Sequence, residues 1–231
     1  MFAGIRIALA WALLILRTFP AESVMTTPTR VQEDVARELK VQPDEVVILK
    51  KYHNYWIVKV NNVKYNVYRE DFSPPVMKLF RLALEAGIGP KVRGSRTVEQ
   101  VPGHLLGKND LLADEDIRKL AVLMKRVHVL QASGPDQVLS PGIRGLIKII
   151  AGDDGKFYII DFMRNRREDL YTALGWLFCR FEFFGQRMVT FLTEYMGRPP
   201  TNEEIDAIER AKATIVADLV AHQFGVRSAN H

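Results

Sequence analysis

At 231 residues the chain is long enough to bury a sizeable core, as one large domain or as two lobes. Its 48% hydrophobic and 26% charged residues are ordinary for a folded globular protein. The net charge of +5 suits an anionic partner such as a nucleotide, a nucleic acid or a membrane surface; the plainer reading is a solubilising charge spread over the surface. A single cysteine, Cys179, excludes an intramolecular disulfide, and its apolar run Trp176-Leu177-Phe178-Cys179 marks it as a buried structural thiol.

The chain opens with an apolar run over residues 7–16, between Arg6 and Arg17. The run is too short for a comfortable membrane span and has the length of a signal-peptide core, although Phe19-Pro20-Ala21 is a poor cleavage pattern. The acid-free first 21 residues, with two arginines, also fit an organelle-targeting segment. The preferred reading takes Met25 as the start, because the folded pattern begins just after it. Residues 1–24 are then a hydrophobic leader or a non-native extension, and the protein is cytoplasmic. It is secreted or organelle-targeted if the leader is genuine, with a membrane partner only if residues 7–16 are retained.

Val31, Val35 and Leu39 recur at spacing four, which predicts a helix over 29–39 with Thr29 as its cap. Three strands follow over 46–50, 55–60 and 63–68. Asn61-Asn62 is set for a tight hairpin between the last two, because asparagine tolerates positive φ. Ser73-Pro74-Pro75 opens a helix that Gly87 stops. Val92 and 97–101 read as short strands, and 110–130 as a long amphipathic helix that includes Leu112. A polar loop over 131–142 leads to a hairpin of strands 146–150 and 157–160, joined by the turn Gly152-Asp153-Asp154-Gly155. One helix is predicted over 168–195. Gly197-Arg198-Pro199-Pro200 breaks it, and a capping box at Thr201-Asn202-Glu203-Glu204 starts another that runs to about 224.

Four segments in this order resemble choline kinases and aminoglycoside phosphotransferases. Leu84-Glu85-Ala86-Gly87-Ile88-Gly89-Pro90-Lys91-Val92 resembles their helix-to-strand step. Glu99-Gln100-Val101-Pro102-Gly103-His104-Leu105-Leu106 resembles their hinge, and Leu123-Met124-Lys125-Arg126-Val127-His128 resembles the end of their long C-lobe helix. Gly155-Lys156-Phe157-Tyr158-Ile159-Ile160-Asp161-Phe162 resembles the strand that carries a magnesium ligand. The resemblance implies an α+β, bilobal, protein-kinase-like fold. Residues 25–103 would be an N-lobe with an antiparallel sheet and one helix. Residues 104–231 would be a mainly helical C-lobe with a β-hairpin at 146–160.

By the same resemblance the cofactors are ATP and Mg2+. Asp161 would hold the metal, Arg69 at the end of the third strand would contact phosphate, and Glu99 and Val101 would hold the nucleotide at the hinge. The plainer readings are a loop cap for Asp161 and a surface charge for Arg69.

The departures concern the chemistry itself. Phosphoryl transfer needs metal carboxylates, a cation on the phosphates and a proton acceptor. The family carries its proton-accepting aspartate and a metal-binding asparagine just before the hairpin. Here Val138-Leu139-Ser140-Pro141-Gly142-Ile143-Arg144-Gly145-Leu146-Ile147 contains no Asp, Asn or His. Asp136 lies upstream, Asp153 and Asp154 belong to a turn, and the catalytic residue is unknown. Val76 stands where the family's glutamate fixes the phosphate cation. The turn Lys50-Lys51-Tyr52-His53-Asn54 lacks the glycine that lets a backbone approach phosphate. The five histidines share no metal-ligand spacing, and the run Arg164-Asn165-Arg166-Arg167 is a solvated loop or a phosphate contact.

Three functions follow from these residues. The first is a pseudokinase that scaffolds or regulates through a protein partner, with residual nucleotide binding. The second is a divergent phosphotransferase for a small hydroxyl or amino substrate, with Asp136 or Asp154 as base. The third is a basic component associated with nucleic acid.

Overall fold

The computed structural model describes residues 28–130, 137–141, 148–162 and 165–223. Helix α1 (Pro28–Leu39) buries Val31, Val35 and Ala36 on one stripe. It begins at Pro28, whose fixed φ suits a first turn, so Thr29 lies inside the helix instead of capping it. Strands β1 (Val47–Lys51), β2 (Tyr55–Val60), β3 (Val63–Tyr68) and β4 (Thr97–Glu99) form one antiparallel sheet in that order. The β2–β3 turn is the asparagine pair, with φ of 47° at Asn61 and 68° at Asn62.

Strand alternation gives the sheet two faces. Trp56, Val58, Val60, Tyr65 and Val67 pack against α1 in a core of their own. The helix is fastened there by three links. Asp34 pairs with Arg96, Glu38 accepts from the Ser95 amide (2.8 Å) and hydroxyl (2.9 Å), and the Gln32 amide donates to the Val46 carbonyl at 2.8 Å. The other face carries Tyr68 and Val98 into the main core. Helix α2 (Pro74–Glu85) lies in that core through Val76, Leu79, Phe80 and Ala83, and Gly87 ends it at φ +68°. Val92 forms an isolated bridge to Val98, not the short strand expected there.

The chain then crosses to β5 (Gly103–Leu105), which the sequence did not reveal as a strand. At Gly103 φ is +137° and a Cβ would sit 2.1 Å from the Ala151 carbonyl oxygen, so only glycine fits. A 3-10 turn, Lys108–Leu111, replaces the expected start of the long helix. Asp110 holds the turn by accepting from the Gly107 amide at 2.7 Å and by bonding His104 Nε2 at 2.9 Å. Helix α3 (Asp114–Val129) therefore starts later, and Leu112 is 76% exposed instead of lying on the apolar face.

Strand β6 (Val138–Pro141) pairs with β9 (Asn165–Glu168), where the sequence suggested loop and the start of a helix. Strand β7 (Ile149–Gly152) joins β5 and β8 (Phe157–Ile159) in a three-stranded sheet. The predicted single helix over 168–195 is two helices, α4 (Leu170–Phe181) and α5 (Gln186–Met196). The break falls at Glu182 (φ 55°) and Gly185 (φ 51°), where the chain turns so that Phe181 and Phe183 both reach the core. Helix α6 (Asn202–Gln223) starts at the expected capping box. The Glu204 amide donates to Thr201 Oγ1 at 3.3 Å, and the Thr201 amide to Glu204 Oε2 at 2.8 Å.

Helix α3 packs on α5 and α4 on α6, around the buried rings of Phe162, Phe178, Phe181, Phe183 and Phe191. The architecture is thus α+β and bilobal: an antiparallel sheet above, a mainly helical lobe below. Among the described residues no helix is long and apolar enough to cross a membrane, and the run at 7–16 lies outside them.

Candidate functional site

The site is assembled where the upper sheet hands over to the lower one. At the crossover the Gln100 amide donates to the Lys64 carbonyl at 2.8 Å, and the Pro102 carbonyl accepts from the Asp153 amide at 3.2 Å. Between them the Val101 backbone makes no hydrogen bond to any other described residue. Its N–H and C=O stay available, as the resemblance implies for a nucleotide-holding hinge. Glu99 is engaged differently. It pairs across the strands with Tyr65, whose side chain packs toward α1, and its carboxylate takes Arg93 NH2 at 2.7 Å. Val47 on β1, at the opposite edge of the upper sheet from β4, and Leu105 on β5, just after the crossover, are both 52% exposed.

Asp161 follows β8 by two residues and is only 16% exposed. Its Oδ2 lies 3.2 Å from the Lys148 ammonium, and Lys148 is 48% exposed. The pairing is built by the hairpin: the Ile160 amide donates to the Lys148 carbonyl at 3.1 Å, which sets Lys148 across from the residue before Asp161. Lys148 thus stands at the step into β7, directly after the Val138–Ile147 stretch that lacks the family's metal-binding asparagine. The sequence offered a signal for it, a lone cation in Leu146-Ile147-Lys148-Ile149-Ile150.

Above Asp161 stands Tyr68. Burial first, then the Asp161 charge, pushes its phenol far above the usual value, so it is a neutral hydroxyl at physiological pH. Tyr68 belongs to a run of neighbouring rings. Tyr52–Tyr55 are stacked at 4.7 Å, Tyr55–Tyr68 lie at 5.9 Å, Tyr68–Phe72 at 5.2 Å, Phe72–Phe80 at 5.0 Å and Phe80–Phe162 at 5.1 Å. These rings take the β1–β2 turn and the residue after Asp161 into one packed series.

The Arg69 guanidinium lies 5.3 Å from the Trp56 ring, and Trp56 faces α1. Tyr68, one residue earlier, is the residue here whose phenol feels the Asp161 charge. Val76 is buried and apolar, so α2 presents no carboxylate at that position.

Asp154 accepts from the Tyr158 hydroxyl at 2.6 Å and the Lys156 amide at 3.2 Å, and these bonds hold its carboxyl below the usual range. It is occupied in shaping its own turn. Asp136 and Arg164 lie outside the described residues. His128 is buried at 2% exposure and bonded through Nδ1 to the Tyr195 hydroxyl at 2.7 Å. Cys179 is half-buried, and burial raises its thiol to about 11, which makes it inert.

No protein-family profile and no curated protein matches the chain. Solved structures do. The choline kinase LicA from Streptococcus pneumoniae, in complex with AMP, is 16% identical over 86% of this chain and 92% of its own, with a TM-score of 0.53. An ethanolamine kinase from Plasmodium vivax is 14% identical over 98% and 91%, with a TM-score of 0.58. The macrolide 2'-phosphotransferase MphH from Brachybacterium faecium is 11% identical over 85% and 93%, with a TM-score of 0.53. The chain therefore has the kinase-like fold shared by choline and ethanolamine kinases and macrolide phosphotransferases.

Magnesium demands a near-octahedral shell of oxygens. Around Asp161 the described residues offer one carboxylate, and the Lys148 ammonium stands 3.2 Å from it, where a dication would need open oxygen. Among the described residues no cluster of three or more His, Cys, Asp or Glu could hold a metal.

Proposed function

We propose that this protein is a pseudokinase: a kinase-like domain that binds a nucleotide at the Val101 crossover and acts through binding, without transferring phosphate. The observation that carries the reading is the composition of the segment that enters the lower hairpin. From Val138 to Lys148 it has no acid, amide or imidazole, and its one hydroxyl, Ser140, is buried. A kinase needs a group that orients or deprotonates the attacking hydroxyl, and this segment supplies none. Nucleotide binding is supported by the open Val101 backbone, by the half-exposed Leu105 that follows it in the chain, and by the likeness to a choline kinase solved with AMP. A scaffolding or regulatory role, with a protein as the partner, is the use that such a domain retains.

The test combines a binding and a turnover measurement. Isothermal titration with ATP and AMP is expected to show saturable binding. Phosphorus NMR of ATP with choline, ethanolamine or a macrolide is expected to show no product above the blank. Phosphate transfer to any of these acceptors that disappears in Asp161→Ala would refute the reading.

A further inference from the structure

We infer that Lys148 is the resident cation at Asp161: its ammonium, positioned by that carboxylate, takes the phosphates of a nucleotide without a divalent metal. The inference rests on the nucleotide reading above and names the form of the ligand, a metal-free nucleotide.

The geometry supplies each part. Asp161 is mostly buried, and a buried carboxylate requires a counter-charge. Lys148 provides it at 3.2 Å, and the hairpin bond from the Ile160 amide to the Lys148 carbonyl fixes the backbone from which the lysine reaches. An ammonium carries three N–H donors and no acceptor. One donor is satisfied by Asp161. Lys148 is 48% exposed, so the others face solvent, where phosphate oxygens can accept them. Lysine binds phosphate as a point charge and needs no second fixed ligand.

The same ammonium works against a divalent ion. A dication on Asp161 Oδ2 would stand close beside a fixed positive charge, and like charges at that range repel. It would find a donor where it needs an acceptor. Asp161 is therefore a positioning residue for Lys148, and the pair meets an incoming phosphate through the N–H donors that the lysine keeps toward solvent.

The experiment measures ATP and adenosine affinity by isothermal titration, in EDTA and in excess magnesium chloride. The proteins are wild type, Lys148→Met and Lys148→Arg, with circular dichroism as the folding control. ATP affinity is expected to be the same with and without magnesium, to within about twofold. Lys148→Met should weaken ATP about tenfold or more, the loss of one charge-assisted phosphate contact, while adenosine affinity stays unchanged. Lys148→Arg should restore most of the ATP affinity. If ATP binds only with magnesium, and Lys148→Met leaves that binding intact or tightens it, the resident-cation inference is overturned and the nucleotide reading stands. If neither ATP nor adenosine binds under either condition, both fall.

Discussion

Acid should weaken this protein at one identifiable place. His128 closes α3, is 2% exposed, and bonds the Tyr195 hydroxyl at 2.7 Å through Nδ1, with Nε2 buried and without a partner. Burial lowers its pKa from 6.5 to about 4. Tyr195 is itself raised to about 12 by burial and does not titrate in the same range. The folded-state pKa lies below the unfolded one, so the unfolded chain takes up the proton first as pH falls. The neutral histidine's stabilising effect is whole above about pH 6.5 and is lost progressively down to about pH 4. A shift of that size corresponds to roughly 3 kcal/mol in full, of which about 2 kcal/mol is already lost near pH 5. Urea unfolding of wild type and His128→Leu, at several pH values between about 7.5 and 4, isolates the effect. Losing the Tyr195 bond costs the variant a constant amount, which cancels from the pH dependence. Wild type is expected to lose roughly 3 kcal/mol relative to the variant across this range. A difference that stays flat would show that His128 titrates normally and is not sealed by α3 and α5.

Three further outcomes follow from the packing. Phe162→Ala empties a fully buried site at the end of the ring series and should cost roughly 3–5 kcal/mol in urea unfolding; a loss under about 1 kcal/mol would contradict the packing described. Asp34→Ala leaves the mostly buried Arg96 without its carboxylate and should cost roughly 1–3 kcal/mol, with limited proteolysis accelerating first within α1; unchanged cleavage there would mean the other two fastenings suffice. Thr201→Ala removes the hydroxyl that accepts from the Glu204 amide and should lower stability by about 1 kcal/mol, read from thermal unfolding.

What the sequence disclosed was the part governed by local rules. The β2 and β3 strands alternate strictly and are separated by two asparagines, and their bounds were read correctly. The Thr201 capping box was legible for the same reason: its reciprocal bonds span three residues. The misreadings fall where distant contacts decide. Strand β9 exists because β6 pairs with it, and β5 because β7 does, so neither shows in its own few residues. The helix predicted through 182–185 is interrupted because Phe183 must turn into the core, an apolar demand that a helical periodicity absorbs without trace. Asp161 stood out as a charge at the end of an apolar strand. Lys148 belongs to the other arm of the hairpin, so the pair could be seen only once the two arms were registered. Arg69 has no such local signal: its role comes from likeness to a family position, and its place beside the Trp56 ring is a contact between two strands.

The crossover between the sheets has a mechanical consequence. Gln100 is tied to Lys64 above, and Pro102 is tied to Asp153 below. Gly103 then lies so close to the Ala151 carbonyl that it can only travel with the lower sheet. Proline fixes its own φ and biases the residue before it toward extended backbone. Between these two ties the crossover leaves the torsions of a single residue, Val101, and within a narrow arc; elsewhere the upper and lower parts are joined by the main core, where Phe80 meets Phe162. A molecule hydrogen-bonded to that backbone would do two jobs with one contact: it would be held, and it would stiffen the one step of the crossover that no other described residue ties.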